Sequence, residues 1–352
     1  MAIREPPILL RELHHALVGV LACAGATAAA ESWWLLGGHP ATLTRSRRIA
    51  ATRSGPNLLI LTNAVDSRQD EIVTDLDTRG WRNSLRRHDV LVFMLAALIL
   101  TWVVWVPRAM GAQVGVIGQL WTWIPAMTAL GCAAVLYGRA GVRDLGRRLV
   151  LWRVRWWWYP VVLLGPLVFA LMVAGIAVLL GEPWDAARPP ALTLSIPALG
   201  LTLLILALTD GLGEELGWRG YLLPRLLIRH RAFVASLILG LYWWLWHLPS
   251  VWTAGGAMEG QPPWLLLADL LAKSLLFTYV FLGTQGSVLI AILLHASTNL
   301  FGVSPPIGPD GDLTVPLVAL ALKWVLAVAL FVRLPRSFSD GSAEFHWSAT
   351  PG

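Results

Sequence analysis

From Asp89 onward the chain is a succession of apolar runs, each close to the ~20 residues that a helix needs to cross a hydrocarbon core. The runs lie near 89 to 107, 114 to 137, 159 to 180, 190 to 209, 233 to 252, 264 to 283, 287 to 302 and 314 to 334, eight in all, and the fourth continues through an acidic stretch to about 223. Pro107, Gly138, Gly181 with Pro183, Pro224, Gly255 with Gly256, Gly283 to Gly286 and Pro305 with Pro306 mark the breaks. In hydrocarbon every backbone N–H and C=O must be satisfied inside the protein, which restricts such runs to helices or a closed barrel, and runs of this length to helices. The expected fold class is therefore all-α: a polytopic transmembrane helical bundle of about eight spans with an N-terminal extension.

Composition agrees. Charged residues make up 14% of the chain, against roughly 25% in soluble domains, and the 20 tryptophans suit membrane–water interfaces, where indole rings collect. The net charge of +6 comes mainly from arginines in short loops, so it carries topology information; no nucleic-acid partner is expected. Only Cys23 and Cys132 are present, both in apolar surroundings, which supports neither a disulfide framework nor a cysteine metal site.

Loop charge orients the bundle. Arg139, Arg143, Arg147, Arg148, Arg153 and Arg155 fill one short connection, and Arg225, Arg229 and Arg231 another two spans later. Both are expected on the cytoplasmic side. The connections 182 to 189, 253 to 263 and 303 to 313 hold Glu182, Asp185, Glu259, Asp310 and Asp312 against the single Arg188, and fall on the opposite side. Ahead of the bundle, 16 to 37 is read as an interfacial or non-spanning helix in preference to a signal peptide, and 38 to 88 as a basic, poorly ordered cytoplasmic segment. The expected division is an N-terminal extension over 1–88, an intramembrane domain over 89–336 and a cytoplasmic tail over 337–352.

Four polar features interrupt the apolar half of the chain. The stretch Asp210-Gly-Leu-Gly-Glu-Glu-Leu-Gly-Trp-Arg-Gly-Tyr-Leu-Leu-Pro224 holds Glu214, Glu215 and Arg219, and ionisable groups at such depth cost enough free energy to mark functional sites. Glu215 and Arg219 are four apart and share a helix face in the favourable order for an ion pair; Glu214 points about 100° away, alongside Trp218, and is left for chemistry. His247 lies in an apolar aromatic run, and taken alone it is more often a packing residue. His295 and Asn299, four apart, could clamp an oxyanion. Asp269 and Lys273, also four apart, are expected to satisfy each other as a structural pair. At ~1.5 Å per residue, Glu214, His247, His295 and Asn299 all fall inside a hydrocarbon layer of about 30 Å.

Glu214-Glu215-x-x-x-Arg219, then Trp243-x-x-x-His247, then His295-x-x-x-Asn299 resembles the three-motif signature of the CPBP intramembrane proteases, which include CAAX proteases and bacteriocin-processing enzymes and are also called the Abi family. The context agrees: Gly217-Trp-Arg-Gly-Tyr-Leu-Leu-Pro224, Trp246-His-Leu-Pro249, and Gly286-Ser287 ahead of the third motif. The resemblance covers about 89 to 334. It implies an intramembrane endopeptidase acting on a membrane-associated or lipidated peptide within the bilayer. Glu214 and His247 would activate water, and His295 and Asn299 would stabilise the oxyanion, with Glu215 and Arg219 in support. Trp243 stands where the family usually has Phe, a change expected to alter packing and not chemistry. Two histidines and a glutamate are also the ligands of some catalytic zinc sites. A divalent metal such as Zn on Glu214, His247 and His295 and a metal-free glutamate route therefore both stand, although no His-Glu-x-x-His occurs. A non-catalytic binding or immunity scaffold and a transporter are the rival readings, and the bacterial plasma membrane is the expected location.

Overall fold

The computed structural model describes residues 80–112, 121–256, 258–308 and 311–334. The chain divides into two units, Met1–Val92 and Phe93–Gly352, and the second contains every candidate site residue. The expected helix at 16 to 37, nearly all of the basic segment and the tail over 337–352 lie outside the described residues.

Every regular element among the described residues is helical. Eight longer helical stretches follow one another: α1 (Asp89–Ala109), α2 (Ile124–Leu149), α3 (Trp158–Leu179), the compound α4 (Ile196–Arg229), α5 (Ala232–His247), α6 (Pro263–Gly283), α7 (Val288–Leu300) and α8 (Thr314–Val332), with short helical turns at Trp184–Ala187 and Pro190–Thr193 between α3 and α4. The eight overlie the apolar runs, except that α2 continues past its run to Leu149, so that Arg139, Arg143, Arg147 and Arg148, expected in a connection, are helical. Six of them, α1, α3, α4, α5 with its short 3₁₀ extension to Trp252, α6 and α8, are long and apolar enough to span a membrane, so the protein is an integral membrane protein. The expected count of about eight is not reached by that measure, for a physical reason in each remaining case. Helix α7 has only 13 residues, and α2 turns at Gly138 (φ 62°, ψ −147°) into a basic second half.

Helix α4 changes character along its length. None of its first eleven residues, Ile196–Leu206, is buried; Leu199, Leu203 and Leu206 pack partly against Ala170, Leu300 and Phe301, and the other faces are open, as expected of a helix at the lipid boundary. From Gly211 to Pro224 all residues but Leu212 are buried. This inner half is wound partly as π-helix, over Ala207–Gly211 and Leu216–Leu222, on either side of the short α-helical turn that carries the two glutamates. Such widened turns recur at functional sites. Glycines let this half approach its neighbours closely: a Cβ at Gly213 would lie 2.3 Å from the Thr122 carbonyl oxygen, and one at Gly217 2.6 Å from the Pro125 Cβ. Helix α1 is tied to α5 by Tyr242 Oη donating to the Met94 carbonyl at 2.7 Å and by Trp246 Nε1 donating to Thr101 Oγ1 at 2.8 Å.

Candidate active site

Side chains from α4, α5, α6 and α7 meet at one buried cluster. Glu215 and Arg219 form the expected pair, Nη1 to Oε1 at 2.9 Å, with both side chains fully enclosed. The Arg219 guanidinium lies over the rings of Phe277 (4.5 Å) and Trp243 (4.9 Å), so aromatic faces complement the charge where water cannot. Glu215 does more than hold the arginine: its Oε1 also contacts His295 Nδ1 at 2.8 Å. Motif one and motif three are thus joined directly.

Glu214 is 3% exposed and is not the unbonded carboxylate that the sequence suggests. Its Oε2 accepts from Trp218 Nε1 at 3.1 Å and from Trp243 Nε1 at 2.8 Å, leaving Oε1 as the oxygen with no indole donor. The second of these bonds corrects the expectation for Trp243. A phenylalanine has no N–H to offer, so tryptophan at this position changes the hydrogen bonding of the glutamate as well as the packing.

Trp243 is also what places His247. Its backbone carbonyl lies 3.0 Å from His247 Nδ1, and since a carbonyl only accepts, that nitrogen carries the proton, so that in the neutral form of the ring Nε2 is the lone-pair acceptor. The imidazole sits among the indoles of Trp105, Trp121, Trp243 and Trp246, with ring centroids 4.6 to 6.3 Å away. The Trp243 ring stands 5.8 Å from that of His295. One residue therefore touches Glu214, His247 and His295.

Asn299 is exposed, one turn beyond His295, and its Nδ2 donates to Asp210 Oδ2 at 3.1 Å. Asp210 was not singled out by motif spacing. It lies four residues before Glu214, and a carboxylate at the end of an apolar run is itself the signal that could have marked it.

The expected pair of Asp269 with Lys273 is present, and the structure adds partners to it. Their separation is 3.7 Å, whereas Asp269 bonds closely to Lys323 of α8 and accepts from Ser304 Oγ at 2.6 Å. Lys323 is fully buried. A helix-face rule finds partners on the same helix and cannot see one that arrives from another, although a lone lysine in an apolar span already asks for a counter-charge.

Among the described residues, no group of three or more His, Cys, Asp or Glu side chains has a spacing that would hold a metal ion. Glu214, His247 and His295 are gathered around Trp243; the bonds described engage Oε2 of Glu214 and Nδ1 of each histidine, which are contacts that orient these groups whether they hold a metal or a water molecule.

Residues 195–301 match the family model described as type II CAAX prenyl endopeptidase Rce1-like. A relative described as CAAX prenyl protease 2, from Methanococcus maripaludis, is 35% identical over 106 residues, which cover 28% of this chain and 38% of the relative. The chain thus matches well under half of that relative's length. The matched stretch nevertheless runs from the start of α4 to the end of α7 and holds Glu214, Glu215, Arg219, His247, His295 and Asn299, so over residues 195–301 the chain resembles the Rce1-like CAAX prenyl endopeptidases, as its three motifs indicate.

Proposed function

We propose that this protein is an intramembrane endopeptidase that hydrolyses a peptide bond near the end of a membrane-associated protein or peptide, by a metal-free route centred on Glu214. The observation that carries the reading is the arrangement around Trp243, which gathers Glu214, His247 and His295 into one buried cluster while Asn299 stands at its exposed edge. A water molecule held between Glu214 Oε1 and His247 Nε2 loses its proton to the carboxylate as its oxygen attacks the scissile carbonyl carbon. The developing oxyanion accepts from His295 Nε2–H and from the second Nδ2–H of Asn299, the first being engaged by Asp210. With Nδ1–H given to Glu215, a donating Nε2 makes His295 an imidazolium, whose charge the Glu215 carboxylate balances. Proton return to the amide nitrogen releases the amine as the C–N bond breaks.

The relative's description points to prenylated substrates. The test is the full-length chain in lipid nanodiscs, offered a farnesylated peptide with a C-terminal CAAX sequence and its unprenylated counterpart, with products read by mass spectrometry. Release of the C-terminal tripeptide from the farnesylated peptide, undiminished by a chelator such as phenanthroline, is expected. No product from either peptide would remove the substrate assignment, and loss of activity on chelation with recovery on added zinc would remove the metal-free route.

Asp210 is assigned as a positioning residue, because its bond fixes which way the Asn299 carboxamide faces. Asp210→Ala is expected to lower kcat by roughly 10-fold with little change in KM, whereas Asp210→Asn, which keeps an acceptor oxygen, retains most of it. Equal loss in both variants would show that the charge, and not the acceptor, matters.

A further inference from the structure

At the end of the bundle that carries the basic turns, a cavity of about 560 Å³ opens between the connection from α2 to α3 and the turn from α6 to α7, and none of the residues of the glutamate cluster lines it. Arg153, Arg155 and Trp157 line one side, Tyr279 and Gln285 another, and Leu334 closes the end. The walls are fixed. Ser287 Oγ donates to the Leu151 carbonyl at 2.6 Å, and Tyr159 Oη to the Trp152 carbonyl at 2.6 Å. The Trp158 ring lies against Gly283 so closely that a Cβ there would sit 2.3 Å from it.

Three properties of the lining suggest an occupant. First, Arg153 and Arg155 each stack on a tryptophan, Trp152 at 5.2 Å and Trp157 at 5.0 Å, and neither has a carboxylate partner among the described residues. Two guanidiniums with free edges at one cavity favour a phosphate, which they can grip with paired N–H donors. Second, Gln285 is the one non-glycine residue among the described residues with a left-handed backbone, φ 57°, at a helix end where glycine is the usual choice. Gly286 follows directly, so the turn has a glycine at hand, yet the strained position holds a glutamine, and that glutamine lines the cavity. Third, Trp152, Trp156 and Trp157 are exposed, which places this rim at headgroup depth.

We propose that this cavity binds the phosphate of an anionic phospholipid headgroup, with Arg153 and Arg155 as its cationic grip and Gln285 donating to a phosphate or glycerol oxygen. The chemistry shared with a free phosphate ester is the phosphate itself; depth in the bilayer and the tryptophan rim favour the lipid. Binding here is independent of the proteolytic reading.

Native mass spectrometry of the full chain, released from mixed micelles of phosphatidylglycerol and phosphatidylcholine, tests it. The unmodified protein is expected to retain phosphatidylglycerol preferentially, and R153A together with R155A to lower that retention by about 25-fold, taking about 1 kcal/mol for each arginine near an anionic headgroup. Gln285→Gly, which removes the carboxamide and relaxes the turn, should weaken retention while raising thermal stability. R139A with R143A removes as much charge from the basic second half of α2, outside the cavity, and is expected to change retention by less than about twofold. Unchanged retention in the R153A/R155A variant overturns the proposal, as does an equal loss in the R139A/R143A variant, since attraction would then be diffuse. Displacement of the lipid by glycerol 3-phosphate at equal concentration would overturn the lipid assignment in favour of a soluble phosphate ester.

Discussion

Glu214→Gln is expected to lower kcat by roughly 10³-fold, within the range of a lost general base, while leaving the fold intact. The two indole N–H groups converge on one carboxylate oxygen, Oε2, from 3.1 and 2.8 Å. A glutamine can turn its carbonyl oxygen to that position, keep both donors satisfied and present its amide nitrogen where Oε1 stood. Shape and hydrogen bonding survive, and the proton acceptor is gone. Glu214→Leu is a different experiment: it leaves two buried donors unpaired at about 1 to 3 kcal/mol each, so its inactivity would not separate chemistry from misfolding. Turnover of the farnesylated peptide and the unfolding midpoint, measured on the same preparation of Glu214→Gln, decide the matter. Full turnover in that variant would end the assignment of Glu214 as the base.

The largest loss of stability is expected at Asp269→Asn. The carboxylate sits against Lys323, which is fully buried, and 3.7 Å from Lys273, with Ser304 on its second oxygen. Asparagine fits the same space but leaves two enclosed lysines without a counter-charge, and breaking a buried ion pair from one side costs about 3 to 5 kcal/mol. Lys323→Met should cost less, because Lys273 remains to neutralise the aspartate. Adding Lys323→Met to Asp269→Asn should then recover part of the loss, since it removes one uncompensated charge. Equilibrium unfolding in mixed micelles measures all three. A cost under about 1 kcal/mol for Asp269→Asn, or no recovery in the double variant, would mean that water reaches this cluster and screens it.

Whatever can be computed along one helix was legible in the sequence. The apolar runs became helices, though α2 runs on through basic residues to Leu149 that hydropathy had assigned to a connection, and the spacing of four between Glu215 and Arg219 became a 2.9 Å ion pair. Contacts between helices were not legible, because periodicity assigns a face and says nothing about which neighbour covers it. Three contacts of this kind hold the candidate site together: His295 on Glu215, Asn299 on Asp210, and the Trp243 indole on Glu214. The third reversed an expectation, since a Phe-to-Trp difference is judged by size when only sequence is in view, and the polar handle of the indole matters once a carboxylate is within reach. Lys323 escaped notice for the same reason, its partner lying 54 positions earlier in the chain.

The unequal halves of α4 bear on how this protein fails as well as how it works. Ile196–Leu206 has no buried residue: Leu199, Leu203 and Leu206 pack on one face against Ala170, Leu300 and Phe301, and the rest of its surface is left to hydrocarbon. Local opening there breaks few side-chain contacts, and where protein packing is thin the free energy of opening is low. Amide exchange over these residues should therefore rise sharply when the bilayer is replaced by a short-chain detergent, before exchange rises in the packed stretch beyond Gly211. Glu214 lies eight residues past the end of that segment on the same continuous helix. Fraying that reaches it would abolish turnover in a preparation whose remaining helices still melt cooperatively, and lipid added back would restore activity without any change in the global midpoint.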